Sequence, residues 1–453
     1  MTGDTIAAIA TALGEGGIAT IRISGPQALL VADRVFYCLG PPPSQRPAQT
    51  FAWGHMHDLE RQIDDGIMLI MHAPHSYTRE DVVELQCHGG LIIPRQVLRA
   101  VLQAGARMAE PGEFTYRAFI NGRLDLVQAE SVNDLIRARS DRAVRVAKEY
   151  KNGRFSKQFR EFYDHLLSIA SDLEASLAFH EDELPQTVLP DILNQLELIE
   201  LKIFDFLKNW QNGHYVREGI SLVIAGRPNV GKSSLMNALL GKDRVIVSHQ
   251  PGTTRDVIEE FFIVDGMYTR LFDTAGLRNA ECAAEEDGIR RAYDVLRKAD
   301  IVIYVVDASN VIQNEDIIII KSLPTKRCLL VLNKVDLGCL VSNPLLNDFR
   351  TIETSALLSV GIKEVVREIS ILVSNFVQLN SFPETIITDR HWIILSETRK
   401  ILNDGISVLR SSGDQVIAAN FVRLAINSIG NLLGRDTTDD VLSSVFSKFC
   451  IGK

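Results

Sequence analysis

Residues 226–233 read Gly-Arg-Pro-Asn-Val-Gly-Lys-Ser and match the phosphate-binding pattern Gly-x-x-x-x-Gly-Lys-Ser in full. A buried-type strand, GISLVIAG, leads into the motif, and a helical stretch follows it. Glycines allow backbone N–H groups to face phosphates, Lys232 reaches the β- and γ-phosphates, and Ser233 is the expected Mg²⁺ ligand. The motif therefore predicts a nucleoside triphosphate site between a strand and a helix. Its predicted nucleotide contacts are Asn229, Val230, Gly231, Lys232, Ser233 and Ser234.

Four further elements follow in the order expected of a guanine-nucleotide site. The Asp-Thr-Ala-Gly stretch at 273–276 ends a strand, where an aspartate holds the Mg²⁺ shell and a glycine N–H meets the γ-phosphate. The carboxylate of Asn-Lys-Val-Asp at 333–336 can accept two hydrogen bonds from guanine. Gly-Thr-Thr at 252–254 offers a second metal ligand, and Ser-Ala at 355–356 completes the base pocket. The predicted contacts are Thr253, Thr254, Asp273, Gly276, Asn333, Lys334, Asp336, Ser355 and Ala356.

The catalytic apparatus of this predicted GTPase is incomplete. Leu277 stands after the Asp-Thr-Ala-Gly motif, where a Ras-like site has a glutamine that orients the attacking water. Arg255 and Arg278 are candidates for an arginine finger, but each is as readily structural. Because a finger contributes roughly 10³–10⁵ in rate, we expect the isolated protein to be slow and to need a further element.

The α/β segment lies between two helical segments. Strands alternate with helices from Gly219 to about Phe376, which predicts a doubly wound, mainly parallel sheet. The chain before it is helical from about Arg117, with breaks at Leu184-Pro185 and Leu189-Pro190, and it is helical again after Phe382-Pro383. We therefore predict a multidomain α/β and α protein in which a Ras-like domain is inserted into a helical domain. The predicted boundaries are 1–117 (α+β), 118–217 (helical, first part), 218–377 (inserted GTPase) and 378–453 (helical, second part).

Composition bounds the cellular setting and the partners. A chain of 453 residues is too long for one hydrophobic core. Its six cysteines are scattered without a Cys-x-x-Cys pair, which favours a reducing cytoplasm over a zinc site or disulfides. The N-terminus does not resemble a secretory signal, and no apolar run approaches the length of a membrane span. We therefore expect a cytoplasmic protein without stable membrane association.

The stretch from Arg137 to Arg160 is strongly basic in a chain whose formal net charge is −9. Nine Lys or Arg residues stand there against Asp141 and Glu149, at a spacing near three that winds charge around a helix. Two interpretations are open, a solvated helix or a contact with the backbone of a nucleic acid.

From end to end the chain resembles the MnmE/TrmE family of tRNA modification GTPases. The resemblance is carried by DTIAAIAT and GGIATIRISG at the start, by SYTREDVVELQCHGG and PGEFTYRAFINGRLDLVQAESVNDLI, and by the terminal FCIGK. It implies a GTPase that modifies carbon 5 of the wobble uridine, position 34, of certain tRNAs with an aminomethyl or carboxymethylaminomethyl group. It further implies a homodimer, and a heterotetramer with an MnmG-type flavoprotein that carries the FAD.

The resemblance also implies ligands for three cofactors besides GTP. Mg²⁺ would be held by Ser233 and Thr254, and a K⁺ ion would replace an arginine finger. A tetrahydrofolate derivative, 5-formyl or 5,10-methylene, would bind the N-terminal domain. Glu285 would orient the water, although an exposed acidic loop is the alternative interpretation of that stretch. The implied K⁺ ligands are Asn229, Ser248, Gln250 and Thr253. The implied folate ligands are Arg22, Glu84, Arg123 and Lys453, and the candidate catalytic residues are Glu285, Lys232 and Cys450.

Two sequence features bear on the N-terminal domain and the chain end. Arg79 stands where the family usually has glycine, so arginine is strained if that position requires a positive φ. Cys450, four residues from the end, is either part of the folate site or a buried thiol beside Phe449. The residues upstream predict a short capped helix that packs, with Leu442 and Phe446 among its apolar residues.

Two alternative functions remain open at this point. A ribosome-assembly GTPase of the Era or Der type would share the nucleotide motifs, but it would not explain the N-terminal and C-terminal stretches. A lipid-anchored switch rests on Cys450 alone. Gly452 and Lys453 do not suit a prenylation box, and Asp436, Asp439 and Asp440 would repel an anionic membrane.

Overall fold

The computed structural model describes residues 3–58, 61–178, 188–208, 210–241, 259–264, 266–273, 296–297, 299–341, 343–377, 387–435 and 437–453. Its contacts divide the chain into two compact units. The first unit comprises Met1–Ile136, Lys148–Glu200 and Glu397–Lys453, and the second comprises Arg137–Ala147 and Leu201–Ser396. The limits of the four segments predicted from the sequence remain predictions.

A seven-stranded sheet forms the N-terminal part of the first unit, in the order β3-β4-β5-β6-β2-β1-β7. All neighbours are antiparallel except β1 and β7. Alternate residues such as Ile21, Ile23 and Leu85 point to one face and pack under α1 and α2, which gives an α+β layer. The strands are β1 (Ile6–Ile9), β2 (Ile18–Ser24), β3 (Phe36–Cys38), β4 (Thr50–Asp58), β5 (Arg61–Met71), β6 (Val82–His88) and β7 (Arg107–Met108); the helices are α1 (Ala28–Val35) and α2 (Ile93–Gln103).

Helices from both sides of the inserted α/β segment meet in the first unit. Helices α6 and α13 pack side by side, although the two helices are more than 200 residues apart in sequence. The C-terminal helix α14 packs on α4 through Leu442, Val445 and Phe446, as expected, but its N-cap residue Thr438 makes no side-chain capping hydrogen bond. The helices outside the inserted segment are α3 (Glu113–Ile120), α4 (Leu126–Arg137), α5 (Asp141–Lys151), α6 (Arg154–Ala178), α7 (Val188–Lys208), α12 (Asp389–Ser411), α13 (Gln415–Leu433) and α14 (Asp439–Phe446). The limits of the two units fall within α4, α5, α7 and α12.

Three expectations about the helices are wrong. Helix α7 runs through Pro190, because a proline in the first turn of a helix gives up an N–H that has no partner there. The predicted break at Leu184-Pro185 lies outside the described residues. The basic stretch is not one helix, since the chain turns at Asn152 and Gly153, where Gly153 has φ 78°. The third wrong expectation is that no apolar run approaches the length of a membrane span, since α13 is long and apolar enough to cross one. Half of its apolar window is buried inside the protein, as in an ordinary core helix.

The second unit contains a six-stranded sheet in the order β13-β12-β11-β8-β10-β9. The five predicted strands are parallel, and β9 adds an antiparallel edge that the sequence did not reveal. Buried residues on opposite faces, such as Ile303 and Tyr304, belong to separate cores, so the sheet is doubly wound, as predicted. The strands are β8 (Ile220–Ala225), β9 (Glu259–Val264), β10 (Met267–Asp273), β11 (Ile301–Asp307), β12 (Cys328–Asn333) and β13 (Arg350–Thr354); the helices are α8 (Trp210–Glu218), α9 (Lys232–Leu240), α10 (Asn314–Ser322) and α11 (Ile362–Val377).

Candidate functional site

The phosphate-binding motif forms the loop between β8 and α9. Its backbone takes positive φ at Gly226 (147°), Asn229 (64°) and Gly231 (96°), which turns successive N–H groups toward one side of the loop. The Lys232 ammonium lies within the loop and donates to the carbonyl oxygens of Gly226 (3.0 Å) and Arg227 (2.7 Å). The loop therefore presents a cation and backbone donors together, which is the arrangement a polyphosphate requires.

Asn333, predicted as a base contact, also holds two nucleotide loops together. Its Nδ2 donates to the carbonyl oxygen of Val230 in the phosphate loop (2.9 Å), and its Oδ1 accepts from the N–H of Ala356 (3.0 Å). The side chain is buried, and a Cβ at Gly231 would lie 2.2 Å from its Nδ2. Gly231 is thus required for two reasons, its positive φ and the close approach of Asn333.

The loop after β12 carries the predicted guanine-reading residue, Asp336. Lys334 has φ 70°, and Asp336 is exposed, as a carboxylate that meets a base must be. Ser355 and Ala356 follow β13 on the neighbouring strand, so all five predicted base contacts lie at the carboxyl edge of the sheet.

Asp307, at the end of β11, is a site residue that sequence reasoning missed. Its Oδ2 accepts a hydrogen bond from Lys334 Nζ at 2.7 Å, and its Oδ1 accepts from the N–H and hydroxyl of Ser309. Burial raises the pKa of the Asp307 carboxyl, but the hydrogen bonds from Lys334 and Ser309 outweigh burial, so its pKa is lowered. Its place after a buried strand, IVIYVVD, was the available signal.

The structure describes only some of the predicted Mg²⁺ and K⁺ ligands. Ser233 and Ser234 are exposed in the first turn of α9. Asp273 ends β10, the strand paired with β8, so its backbone lies at the same edge as the phosphate loop. A hydroxyl and a carboxylate are oxygen ligands that suit Mg²⁺. The predicted contacts Ser248, Gln250, Thr253, Thr254, Gly276 and Glu285 lie outside the described residues and stay predictions.

A second cluster, in the first unit, contains the folate ligands implied by the sequence. Arg22 on β2 and Glu84 on β6 are direct cross-strand partners, and Arg22 Nε donates to Glu84 Oε1 at 2.7 Å. Arg22 Nη1 also donates to the carbonyl oxygen of Gly452 at 3.3 Å, which joins residues 430 positions apart. The charged side chains of Arg22 and Glu84 therefore lie next to the end of the chain at Gly452.

The chain end is packed against β1 and is not a free tail. Gly452 is buried with φ 97°, and a Cβ there would lie 2.4 Å from the carbonyl oxygen of Ile9. Burial and the charge of Arg22 lower the pKa of the Lys453 ammonium, against the opposing effect of Glu84. Cys450 is exposed, so the alternative of a buried thiol beside Phe449 is wrong.

Tyr77, which sequence reasoning missed, connects Arg123 to this cluster. The Arg123 guanidinium lies 4.8 Å from the Tyr77 ring centre and donates to the Tyr77 carbonyl oxygen at 2.7 Å. Arg22 lies 5.5 Å from the same ring. Burial raises the pKa of the Tyr77 hydroxyl, which hydrogen-bonds with Thr115 Oγ1 at 2.9 Å. Arg22 and Arg123 therefore both lie against the Tyr77 ring, and Arg22 connects them to Glu84 and the chain end.

The departure at Arg79 has a structural consequence. Arg79 adopts φ 61°, the left-handed region that a family glycine would occupy without strain. Its Nη1 donates to the carbonyl oxygen of Asn121 at 2.9 Å, a hydrogen bond that glycine cannot make. The loop therefore keeps the conformation of a glycine position with an arginine in place.

Comparisons with known proteins identify the family of the chain. A family model described as "GTP-binding protein TrmE N-terminus" matches residues 5–123, and one described as "MnmE helical domain" matches residues 126–450. The tRNA modification GTPase MnmE of Chlamydia pneumoniae is 40% identical over 456 residues, covering 99% of each chain. That of Moorella thermoacetica is 40% identical over 464 residues and covers both chains completely. The G domain of the T. maritima FeoB iron transporter is 27% identical over 34% of this chain and 98% of its own, with a TM-score of 0.26. From its family models and its end-to-end identity to these relatives, the chain belongs to the MnmE family of tRNA modification GTPases.

Proposed function

We propose that this protein is the GTP-hydrolysing subunit of a complex that modifies carbon 5 of the wobble uridine, position 34, in certain tRNAs. A tetrahydrofolate derivative would supply the one-carbon unit, and a flavoprotein partner of the MnmG type would carry the FAD. The product would carry an aminomethyl or a carboxymethylaminomethyl group.

The observation that carries the proposal is the cluster of Arg22, Glu84 and Lys453. The charge of Arg22 lowers the pKa of Lys453, so an anion that binds between these cations would relieve their repulsion. The anionic tail of a folate meets this need. Glu84 can accept further N–H donors besides Arg22, because an ionised carboxylate has about four acceptor sites, and a pterin ring offers an amine and an N–H. Cys450, whose thiol is exposed, precedes Lys453 by three positions in the sequence.

For GTP hydrolysis we infer a K⁺-assisted mechanism. Leu277 cannot orient water, and we identify no arginine finger, so another positive charge must stabilise the transition state. Asn229, at φ 64° in the phosphate loop, presents an amide oxygen of the kind K⁺ accepts. Lys232 holds the phosphates, Ser233 and Asp273 fit Mg²⁺, and Glu285 would position the attacking water.

We further propose that the protein is a homodimer through its N-terminal sheet. The sheet face opposite α1 and α2 exposes Tyr37, Phe51, Trp53 and Ile67, of which Phe51 is 75% exposed and Trp53 60%. Trp53 and Ile67 are direct cross-strand partners, so these side chains form one surface. Contiguous aromatic residues in this number are costly to leave in water and are typical of an interface.

Mass spectrometry of tRNA nucleosides tests the proposed function. Cells that lack this protein should lose a modified wobble uridine, and a plasmid copy of the chain should restore it. A copy with Arg22→Gln should fail to restore it, whereas Arg99→Gln, an exposed arginine on α2 of the same unit, should succeed. Unchanged nucleosides in the deletion strain would refute the proposal.

A further inference from the structure

Five cations crowd the surface of the first unit where α5 ends and α6 begins. Residues Lys148, Lys151, Arg154, Lys157 and Arg160, here named the basic ridge, are all exposed, and Glu149 is the one carboxylate within that span of sequence. The other basic residues of the stretch belong to the second unit, where Arg139 packs on the rings of Phe261 and Tyr268. The structure thus divides the nine basic residues of the stretch between two units, a distinction that the sequence pattern does not contain.

The ridge is held rigidly from below. Tyr150 and Phe155 stack with ring centres 4.4 Å apart, Phe155 and Phe159 are equally close, and all three are buried. The turn between the helices is fixed by Gln128 on α4, whose Nε2 donates to the carbonyl oxygen of Lys151 at 3.1 Å. A Cβ at Gly153 would lie 3.0 Å from the same Nε2. The aromatic side chains therefore face inward and leave the cations on the outer surface.

The charges of the ridge are poorly neutralised. Within the part of the chain that the structure describes, the Lys148, Lys151 and Lys157 ammonium groups form no ion pair with a carboxylate. Arg154 lies 3.5 Å from Glu149, and Arg160 lies 3.9 Å from Asp125. Exposed pairs of this kind contribute little to stability, so stability does not account for the cluster.

The ridge also extends toward the C-terminal site. The charge of Lys151 lowers the pKa of the Lys453 ammonium, a smaller effect than burial and the charge of Arg22, which places Lys151 close to the chain end. Lys151 is thus the ridge residue whose charge reaches the cluster of Arg22 and Lys453. A polyanion lying on the ridge would have part of its length beside that cluster.

We propose that the basic ridge is the surface on which the phosphate backbone of the tRNA substrate docks, an inference that rests on the proposed function. An otherwise acidic protein needs a local basic surface to hold a polyanion. The ridge offers charge without exposed aromatic anchors, because Tyr150, Phe155 and Phe159 are buried. Protein partners are usually held by such anchors, so the chemistry of the ridge favours a nucleic acid over an acidic protein.

Binding of an unmodified tRNA transcript to the full-length protein, measured over a series of salt concentrations, tests the ridge. The variant Lys148→Gln, Lys151→Gln, Lys157→Gln removes three charges. The matched control Arg95→Gln, Arg99→Gln, Lys400→Gln removes three exposed charges elsewhere in the same unit. Each phosphate contact contributes close to one unit to the slope of log affinity against log salt, so the ridge variant should lose about 2–3 units and the control almost none. Thermal midpoints within about 2 °C of the unmutated protein would verify that both variants fold.

Three outcomes would overturn the docking surface. One is an equal salt slope in the ridge variant and the control, and another is no salt-dependent binding by the unmutated chain. The third is displacement of the tRNA by poly-glutamate at equal charge concentration, which would point to an acidic protein partner. None of them refutes the proposed function, which depends separately on the nucleosides of the deletion strain.

Discussion

Replacing Asn333 by alanine should damage both the stability of the second unit and its nucleotide site. The side chain is 2% exposed and connects Val230 in the phosphate loop to Ala356 in the base loop. Alanine removes both hydrogen bonds and leaves a carbonyl oxygen and an N–H without this partner in a buried site. Each buried polar group left unpaired costs about 1–3 kcal/mol, so the free energy of unfolding should fall by about 2–6 kcal/mol.

Calorimetry of the full-length protein measures this loss. In the unmutated protein, the transition that GDP moves to higher temperature belongs to the nucleotide-binding unit, since a ligand stabilises the fold that binds it. For a unit of this size, about 2–4 °C accompany each kcal/mol, so Asn333→Ala should lower that transition by roughly 5–20 °C.

Asp336→Asn is the matched control within the same motif. Asp336 is exposed, so its substitution should leave the unfolding transition within about 2 °C. It should weaken GTP binding by about 3–6 kcal/mol, because two charge-assisted hydrogen bonds to guanine are lost or reversed, and it should improve xanthosine triphosphate binding. An unchanged transition in the Asn333→Ala protein would refute the role of Asn333 in holding the phosphate loop to the base loop. An Asp336→Asn protein that still prefers GTP would refute base reading by Asp336.

The remaining predictions concern the cation, the chain end and Arg79. Hydrolysis of GTP should be faster in K⁺ than in Na⁺ at equal ionic strength, and Asn229→Ala should flatten the difference; equal rates in both salts for the unmutated protein would exclude cation assistance. Cys450→Ser, or deletion of residues 450–453, should abolish tRNA modification while GTP turnover stays within a few-fold of normal, and a truncated protein that still modifies tRNA would contradict this. Gly452→Ala should weaken modification in the same way, because its Cβ would meet Ile9. In chemical denaturation, Arg79→Gly should be more stable than Arg79→Ala by about 1 kcal/mol, since glycine alone relieves the positive φ; equal stability would show that the loop is unstrained.

The sequence was informative wherever function depends on a short local pattern. Residues 226–233 predict a strand, a loop and a helix because glycine spacing and the flanking apolar runs specify all three within one stretch. The five parallel strands were visible as buried apolar runs for the same reason. Local patterns misled at two places. Pro190 was expected to break a helix but lies in the first turn of α7, where proline is tolerated, and the basic periodicity continues across the turn at Gly153 that follows the end of α5.

The family resemblance supplied Arg22, Glu84, Arg123 and Lys453 as a set, but not their geometry. That Arg22 would meet both Glu84 and the carbonyl oxygen of Gly452 depends on the register of β2 with β6 and on the packing of α14 against α4. Tyr77 gives no signal in the sequence, since one tyrosine is usually an ordinary packing residue.

The sequence alone was enough to predict the chemistry of this protein, through the phosphate loop, the predicted guanine-reading motif and the terminal Cys-Ile-Gly-Lys. Only the folded structure shows which of these groups contact one another. Asn333 bonds to two loops, Asp307 accepts a hydrogen bond from Lys334, and the charge of Lys151 acts on Lys453. These contacts could not be predicted from the sequence because they join residues that are distant in the chain, whereas a motif consists of consecutive residues. Strand register and helix packing bring such residues together, and both depend on the whole core being buried at once.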